Sequence, residues 1–562
     1  MKNKHLFLPF LVAAVALAFT SCSKLKPLAG DYIKAEPQPL EAIGGEVPVT
    51  INATFPAKWF NKKAVVTVTP VLRYEGGEVW GTPYTYQGEK IKGNDVVIPQ
   101  ATGANVTLKS SFPYKDALKK SELFLSFAAT LKGKPVQLPD IKIGDGVLAT
   151  SEWACVKSAK PAIAPDKFQR IIKEAHSASI LFLIQQAELR SKELTKQEIT
   201  DWKALVKDAG DAPNKNVAIE VSAYASPDGG LDLNTGLAEK RETKTTDFLA
   251  KELKRAQVEA PVDAHYTAED WDGFQELVSK SDIQDKDLVL RVLSMYSDPE
   301  KREQEIKNIS ATFKVLAEEI LPQLRRSRLT ANIEIIGKSD EEISELFKTN
   351  PAELSLEEIL YAATLTDVVA EKEAIYKETA ERFPSDYRAW NNIGVTRFLS
   401  GDLNGAEQSF IKANGIKVSP EANLNLALIA LSKGDKDKAQ QLLGNASGVP
   451  ELGEALGLLY IKQGEYVKAV NSFGTVKSNN AALAQILTKD YSKAQQTLDA
   501  VEHPTPVTDY LKAVVAARTN NSAAAFSHLK VAFSKDSSLK AEAAKDLEFA
   551  KYATNDSFKA LF

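Results

Sequence analysis

The sequence predicts a multidomain protein with an N-terminal β-sandwich, a central α/β domain with a helical insertion, and a C-terminal α-solenoid. Residues 22–155 combine β-branched alternation with frequent turn signals, which is typical of a sandwich. Residues 156–340 alternate strand-like and helix-like segments, with the insertion at about 268–323. Residues 350–562 read as helical and repeat in register. A chain of 562 residues is long enough for about three or four domains.

The first 21 residues have the layout of a signal peptide. A short basic start with Lys2 and Lys4 precedes an apolar run, Leu6–Phe19, that is too short to span a bilayer permanently. Small residues follow, up to Cys22. This layout resembles a bacterial lipoprotein signal. The resemblance implies cleavage before Cys22, whose sulfur and amine would then carry lipid. The alternative is a plain secretory signal with a chance cysteine.

The segment after the cysteine bears on the location of the protein. Ser23–Lys26 contains no acidic residue. The chain resembles lipoproteins of Bacteroidetes, in which an acidic run at this place tends to direct the protein to the cell surface. Its absence favours the outer membrane with the protein facing the periplasm. Exposure on the surface, as an adhesin or fimbrial accessory, remains the alternative.

The composition excludes some classes of protein. The hydrophobic content of 44% and charged content of 26% are ordinary for a globular protein, and the net charge of −4 argues against non-specific binding of nucleic acid. With Cys22 lipidated, Cys155 is the remaining thiol and no intrachain disulfide can form. We expect Cys155 to be a buried small residue.

Three segments of the N-terminal region are predicted as strands, Val47–Ile51, Ala64–Thr69 and Leu123–Phe127, with a turn at Glu75–Glu78. The stretch Phe55–Ala64 resembles the N-terminal domain of some Bacteroidetes lipoproteins. This region contains no catalytic constellation.

The central region is predicted to alternate strands and helices. In chain order these are strand Ser179–Ile184, helix Thr195–Lys207, strand Val217–Tyr224, helix Asn234–Leu253, strand Gln257–Tyr266 and strand Arg328–Ile336. The pattern resembles the OmpA-like domain, which commonly binds peptidoglycan. The residues that carry the resemblance are Ala223, Tyr224, Ala225, Asn234, Leu237, Ala238, Arg241 and the segment Arg325–Arg328. Ala238 and Glu242 depart from the family, which usually has Ser and Ala there.

The resemblance implies a site for the diaminopimelate end of a stem peptide. A guanidinium can bind the ligand carboxylate through two hydrogen bonds, and a carboxylate can hold its ammonium. Arg241 matches the family arginine, but Ser226 stands where the family has an acid, so Asp228 is the candidate replacement. We therefore predict peptidoglycan binding by Arg241, Asp228, Asn234 and Ser226. The alternatives are a structural Arg241 that bridges to a neighbouring acid or loop, and an Asp228 that only forms the turn.

Four positions keep one register across five C-terminal units. A small residue lies in the first helix: Gly394, Ala427, Gly457, Ala482 and Ala513. The turn follows at Gly401, Gly434, Gly464, Lys489 and Asn520. An alanine then recurs at Ala406, Ala439, Ala469, Ala494 and Ala525, and a large apolar residue at Phe410, Leu443, Phe473, Leu498 and Leu529. Small residues allow close helix approach and the large residue fills the groove.

This register resembles tetratricopeptide repeats, including Trp390 before the first small residue and Pro420 after the first unit. The resemblance implies a concave face that binds an extended peptide or a partner protein. We expect irregular fourth and fifth units, because Lys489 and Asn520 replace the turn glycine, and a capping helix pair around Leu354–Phe383.

An enzyme is not expected. After the signal, the histidines His176, His265, His503 and His528 are scattered without metal-ligand spacing, and no nucleophile or phosphate-loop motif occurs. We expect no cofactor. The leading interpretation is a non-catalytic, lipid-anchored scaffold that tethers the outer membrane to peptidoglycan and recruits a protein partner through the repeats. The alternative is an assembly scaffold whose OmpA-like domain does not bind peptidoglycan.

Overall fold

The computed structural model describes residues 25–562, without the side chains of residues 310–312. The predicted lipidation site, Cys22, lies outside the described residues. The chain forms two compact units. One combines the region up to Pro165 with Val368–Phe562, and the other is Asp166–Asp367. The first unit thus contains residues 156–165, which the sequence had placed with the central domain, and the second contains the segment 350–367.

Between residues 25 and 155 the N-terminal region contains twelve strands. They are β1 Ile33–Glu36, β2 Leu40–Glu41, β3 Glu46–Phe55, β4 Ala64–Tyr74, β5 Gly77–Trp80, β6 Tyr84–Gly88, β7 Val96–Ile98, β8 Ala104–Pro113, β9 Ser121–Leu131, β10 Lys134–Gln137, β11 Ile141–Asp145 and β12 Val147–Leu148. One sheet has the order β1-β3-β8. The other has the order β10-β9-β4-β6-β7, with β11 also on β9 and β5 on β4, and β2 pairs with β12.

The two larger sheets share one hydrophobic core. Alternate residues of β3 are buried, among them Val47, Ile51 and Phe55, and they belong to the same core as Val66 of β4 and Leu123 of β9. This alternation arises because successive strand side chains point to opposite faces. The region therefore has the two layers of a sandwich.

The second unit contains a four-stranded sheet with the order β13-β16-β14-β15. Its strands are β13 Ile171–Leu181, β14 Lys215–Tyr224, β15 Val262–Thr267 and β16 Arg326–Ile336, and its first helices are α1 Ser191–Leu194, α2 Gln197–Asp211 and α3 Leu231–Ala256. β14 and β15 are parallel and the other pairs antiparallel. The strand predicted at Ser179–Ile184 was misplaced, because pairing with β16 along Ile171–Leu181 sets its length.

The predicted insertion is a helical subdomain with its own apolar core. It comprises α4 Trp271–Lys280, α5 Lys286–Met295, α6 Pro299–Asn308, α7 Ser310–Val315, a π-helical turn Leu316–Ile320 and α8 Leu321–Leu324. Phe274, Val278, Val289 and Leu316 are buried together in that core. After β16 the unit ends with α9 Asp340–Thr349 and α10 Leu356–Ala362.

The C-terminal region is an array of helix pairs, as the repeat register predicted. Its helices are α11 Val369–Arg382, α12 Tyr387–Leu399, α13 Leu403–Ile416, α14 Pro420–Ser432, α15 Lys436–Leu443, α16 Leu452–Gln463, α17 Tyr466–Phe473, α18 Asn479–Leu487, α19 Tyr491–Asp499, α20 Pro506–Arg518, α21 Ser522–Lys535, α22 Leu539–Ala543 and α23 Asp556–Lys559. None of the helices in residues 25–562 is long and apolar enough to cross a membrane.

The small and large positions of the register meet as predicted. A Cβ on Gly394 would lie 2.4 Å from the Phe410 ring, and one on Gly457 would lie 2.5 Å from the Phe473 ring. The turn is also retained where glycine is replaced, since Lys489 and Asn520 adopt φ angles of 65° and 59°. The fourth pair, α18 and α19, is short, but its turn has the conformation of the others.

Candidate functional sites

The predicted site residues line one small cavity in the second unit. Ser226 and Asp228 lie in the turn after β14, while Asn234 and Arg241 lie two helical turns apart on α3. Arg325, just before β16, completes the wall. The cavity has a volume of about 40 Å³.

Arg241 is a buried structural residue, with 1% of its surface exposed. Its guanidinium donates from Nη1 to the carbonyl of Tyr224 at 2.8 Å, from Nε to Gln186 at 3.0 Å and from Nη2 to Leu183 at 3.3 Å. Burial lowers the pKa of Arg241 to about 10, and the charge of Arg325 acts in the same direction. This arrangement matches the alternative in which Arg241 bridges to a neighbouring loop.

Asp228 is already occupied by partners from its own chain. One carboxylate oxygen accepts from Nη2 of Arg325 at 2.9 Å, and the other accepts from the Ser226 hydroxyl at 2.5 Å. Nε of Arg325 also donates to the Ser226 hydroxyl at 3.1 Å, and Asn234 donates to the Gly229 carbonyl at 2.8 Å. Arg325 and Asp228 therefore already satisfy part of each other's hydrogen-bonding capacity.

A second candidate site lies in the first unit, where the repeats hold a segment of the same chain. We call residues 150–165 the strap; it contains the 3₁₀ turns Thr150–Trp153 and Val156–Ser158. Asn425 accepts from the Ala162 amide at 2.7 Å and donates to its carbonyl at 2.8 Å. Asn392 accepts from the Ala164 amide at 2.9 Å and donates to its carbonyl at 3.0 Å. Asn480 makes the same two bonds to Cys155, each 2.9 Å long. We call these three asparagines the ladder.

The strap follows the array from its last helix pairs to its first. The contacts in strap order are Trp153 with Tyr510, Cys155 with Asn480, Lys160 with Glu454, Ala162 with Asn425, Ala164 with Asn392, and Pro165 with Arg388. The partners lie on α20, α18, α16, α14 and α12, which are the first helices of successive pairs. The face formed by these first helices, which we call the groove, is thus occupied by the chain's own polypeptide.

The ladder recognises backbone, not side chains. An asparagine amide has one acceptor and two donors, so it can pair with both polar groups of one peptide residue. The three asparagines are nearly completely buried, as are Ala162 and Ala164 of the strap. Burial without these bonds would leave unpaired polar groups, which is costly. Small side chains let the strap backbone approach the amides.

The strap is also fixed near its beginning. Thr150 donates to the Glu548 carboxylate, which accepts from Arg518 Nη2 at 2.6 Å. The Trp153 ring lies 4.5 Å from the Tyr510 ring, centroid to centroid. The Tyr510 hydroxyl donates to Asp546 at 2.7 Å.

Cys155 corrects one expectation. Its side chain is exposed, not buried as predicted, while Asn480 bonds to both of its backbone polar groups. Among residues 25–562, no group of three or more His, Cys, Asp or Glu side chains is placed to hold a metal ion.

Sequence reasoning missed the ladder, although a signal was present. Asn392, Asn425 and Asn480 each stand two positions before the small residue of their unit. That position faces the groove when the small residue faces its helix partner. The strap itself carries no periodic pattern that would reveal its destination.

Several solved structures of tetratricopeptide-repeat and related proteins are similar to part of this chain. No protein-family model matches the chain, and no curated protein matches its sequence. A tetratricopeptide repeat protein from Parabacteroides merdae is 13% identical, with 40% of this chain and 90% of that chain covered and a TM-score of 0.28. PilF of Pseudomonas aeruginosa is 15% identical, with 39% and 100% covered and a TM-score of 0.28. YrrB, described as a tetratricopeptide-repeat protein with an unusual peptide-binding site, is 15% identical, with 38% and 100% covered and a TM-score of 0.22.

Proposed function

We propose that this chain is a non-catalytic, lipid-anchored scaffold of a bacterial outer membrane. The observation that supports the scaffold role most directly is the ladder, because Asn392, Asn425 and Asn480 bind polypeptide backbone along the groove. A scaffold of this kind holds the N-terminal β domain through the strap and presents its remaining surface to a partner protein.

The exposed surface of the repeats can be probed for such a partner. Large apolar side chains are exposed on it, including Val418 at 72%, Val467 at 67% and Ile411 at 50%. Because these side chains reach solvent, their positions can carry probes without disturbing the core. Photo-crosslinking groups at Val418 and Val467 in living cells should give adducts of discrete mass. The same group at Lys134, in the β domain, serves as the control, and equal, diffuse labelling at all positions would contradict the proposal.

The anchor is a separate part of the proposal. Lipid on Cys22 would hold the protein in the outer membrane, facing the periplasm, because the residues after it are not acidic. Metabolic labelling with a fatty acid should mark the wild type and not Cys22→Ala. Protease added to intact cells should leave a periplasmic protein uncut, whereas degradation would assign it to the cell surface.

A second candidate function is a tether to peptidoglycan through an OmpA-like domain. The convergence of Ser226, Asp228, Asn234, Arg241 and Arg325 on one cavity favours it. Arg241 is occupied by carbonyls, so the guanidinium available for a ligand carboxylate is that of Arg325. Once Arg325 leaves Asp228, the freed carboxylate can bind the ligand ammonium.

Co-sedimentation of the full chain in detergent with purified peptidoglycan tests the tether. Loss of binding in Arg325→Ala and in Asp228→Ala, with binding retained in Arg255→Ala, would support it. Arg255 is an exposed arginine near the end of α3 and is the matched control. No binding by the unmodified protein would reject the tether and leave the scaffold proposal intact.

A further inference from the structure

The strap occupies the groove in the manner of a bound peptide. Its backbone is held at Cys155, Ala162 and Ala164 by asparagine amides of the repeats, and none of these three residues lies in a strand or helix. The extended end of the strap, residues 159–165, has the sequence Ala-Lys-Pro-Ala-Ile-Ala-Pro. Alternate small residues, Ala162 and Ala164, face the groove, while the large side chain of Ile163 is 44% exposed.

We propose that the strap is a built-in competitor for a peptide-binding groove. The external ligand is an extended, alanine- and proline-rich segment of a partner protein, which binds the same ladder in trans when the strap is displaced. This inference rests on the proposed scaffold role. It adds the chemistry of the groove ligand and an autoinhibitory state.

The contacts explain why such a ligand would compete. Asn392 and Asn425 bond only to backbone amide and carbonyl groups, which every peptide has. The groove therefore selects a ligand by the shape of its backbone and by side chains small enough to let that backbone approach. Ala162 has no exposed surface, so a larger, charged side chain at that position would be overpacked and unpaired against the repeats, which favours displacement of the strap. A tethered segment has an effective concentration on the order of 1 mM, so the strap excludes weak ligands while it is in place.

The test uses a fluorescent peptide of residues 151–165, with serine in place of the cysteine, and the full chain in detergent. Wild type should bind it weakly. Ala162→Asp, which expels the strap in cis but leaves the groove unchanged, should bind on the order of tenfold tighter or more. Asn392→Ala with Asn425→Ala in that background should abolish the gain, and a peptide carrying the same Ala162→Asp change should not bind.

Hydrogen exchange at the Ala162 and Ala164 amides reports whether the strap has left the groove. Fast exchange with no gain in peptide binding, in a variant that keeps its helical circular dichroism, would overturn the proposal. A strap that stays protected in Ala162→Asp would also overturn it, because small side chains would then not be required. Either failure leaves the crosslinking test of the scaffold role unaffected.

Discussion

Asn425 pairs with both backbone polar groups of Ala162, a residue 263 positions earlier in the chain. The bond from the Ala162 amide is 2.7 Å long, and that to its carbonyl is 2.8 Å long. The carbonyl accepts a further bond, of 3.0 Å, from Asn391. One residue of the strap therefore satisfies its buried polar groups entirely through side chains of the repeats.

Asn425→Ala is expected to destabilise the first unit. The change leaves the buried amide of Ala162 without its acceptor and removes one bond to the carbonyl, at a cost of about 1–3 kcal/mol per unsatisfied group. We expect a loss of about 2–4 kcal/mol in the free energy of unfolding, measured by urea denaturation. Asn445→Ala, at an exposed asparagine of the same array, should change it by no more than about 0.5 kcal/mol. Equal effects of the two changes would contradict a structural role for the ladder.

Gly457→Ala is expected to destabilise the repeats in spite of the higher helix propensity of alanine. The new Cβ would lie 2.5 Å from the Phe473 ring, and overpacking of this kind costs about 1–3 kcal/mol. Gly415, which also lies in a helix of the array, has no atom within 4 Å of such a Cβ. Gly415→Ala should therefore raise stability by about 0.5–1 kcal/mol. Thermal unfolding of both variants measures the difference, and a stabilising Gly457→Ala would mean that the helices do not pack this closely.

The helical array could be predicted because the residues that pack against each other in it lie close together in the sequence. Gly394 and Phe410 must be small and large for two adjacent helices to meet, so their spacing repeats with the units. The strap could not be predicted in this way, since Ala162 and Ala164 are bound by residues 263 and 228 positions away. No short-range pattern encodes such a pairing.

The role of Arg241 could not be predicted either, because its partners lie far from it in the sequence. In the structure Arg241 lines the same cavity as Asn234 and Asp228, which the resemblance had grouped with it. The carbonyls of Leu183 and Gln186 come from a loop after β13 that the sequence had assigned partly to a strand. The buried Arg241 guanidinium donates two of its hydrogen bonds to carbonyls of this loop. The spacing of a motif does not specify where such loop atoms lie.

Lys489→Gly is expected to stabilise the fourth helix pair. Lys489 has a φ of 65°, in the left-handed region that costs a side-chain-bearing residue about 1–2 kcal/mol. Glycine removes that cost but adds backbone freedom to the unfolded chain, so we expect a net gain of about 0.5–1 kcal/mol. Gly434→Lys, at the equivalent turn with a φ of 81°, should have the opposite sign. Urea midpoints measure both, and changes of the same sign would contradict the role of the turn conformation.

Asp546→Asn is expected to stabilise the first unit at neutral pH. Burial raises the pKa of the Asp546 carboxyl to about 6, and the charge of Glu548 acts in the same direction. The folded protein therefore binds this proton more tightly than the unfolded chain, whose aspartate pKa is about 3.9. Stability from this group is fully present below about pH 4 and is lost as the pH rises through 6, by about 3 kcal/mol in total.

Asparagine is neutral at every pH. Its Oδ1 can accept from the Glu548 amide, which Asp546 Oδ1 holds at 3.0 Å, and its Nδ2 can donate to the Tyr510 hydroxyl, which lies 2.7 Å from Asp546 Oδ2. Unfolding free energies of Asp546→Asn and wild type should therefore converge near pH 4 and separate above pH 6, with the variant more stable. Asp536 is the control, because hydrogen bonds from Ser538 lower the pKa of its carboxyl. Asp536→Asn should lose stability relative to wild type at pH 7, and that deficit should disappear at low pH. A constant difference between Asp546→Asn and wild type across this range would mean that the Asp546 carboxyl does not change protonation there on folding.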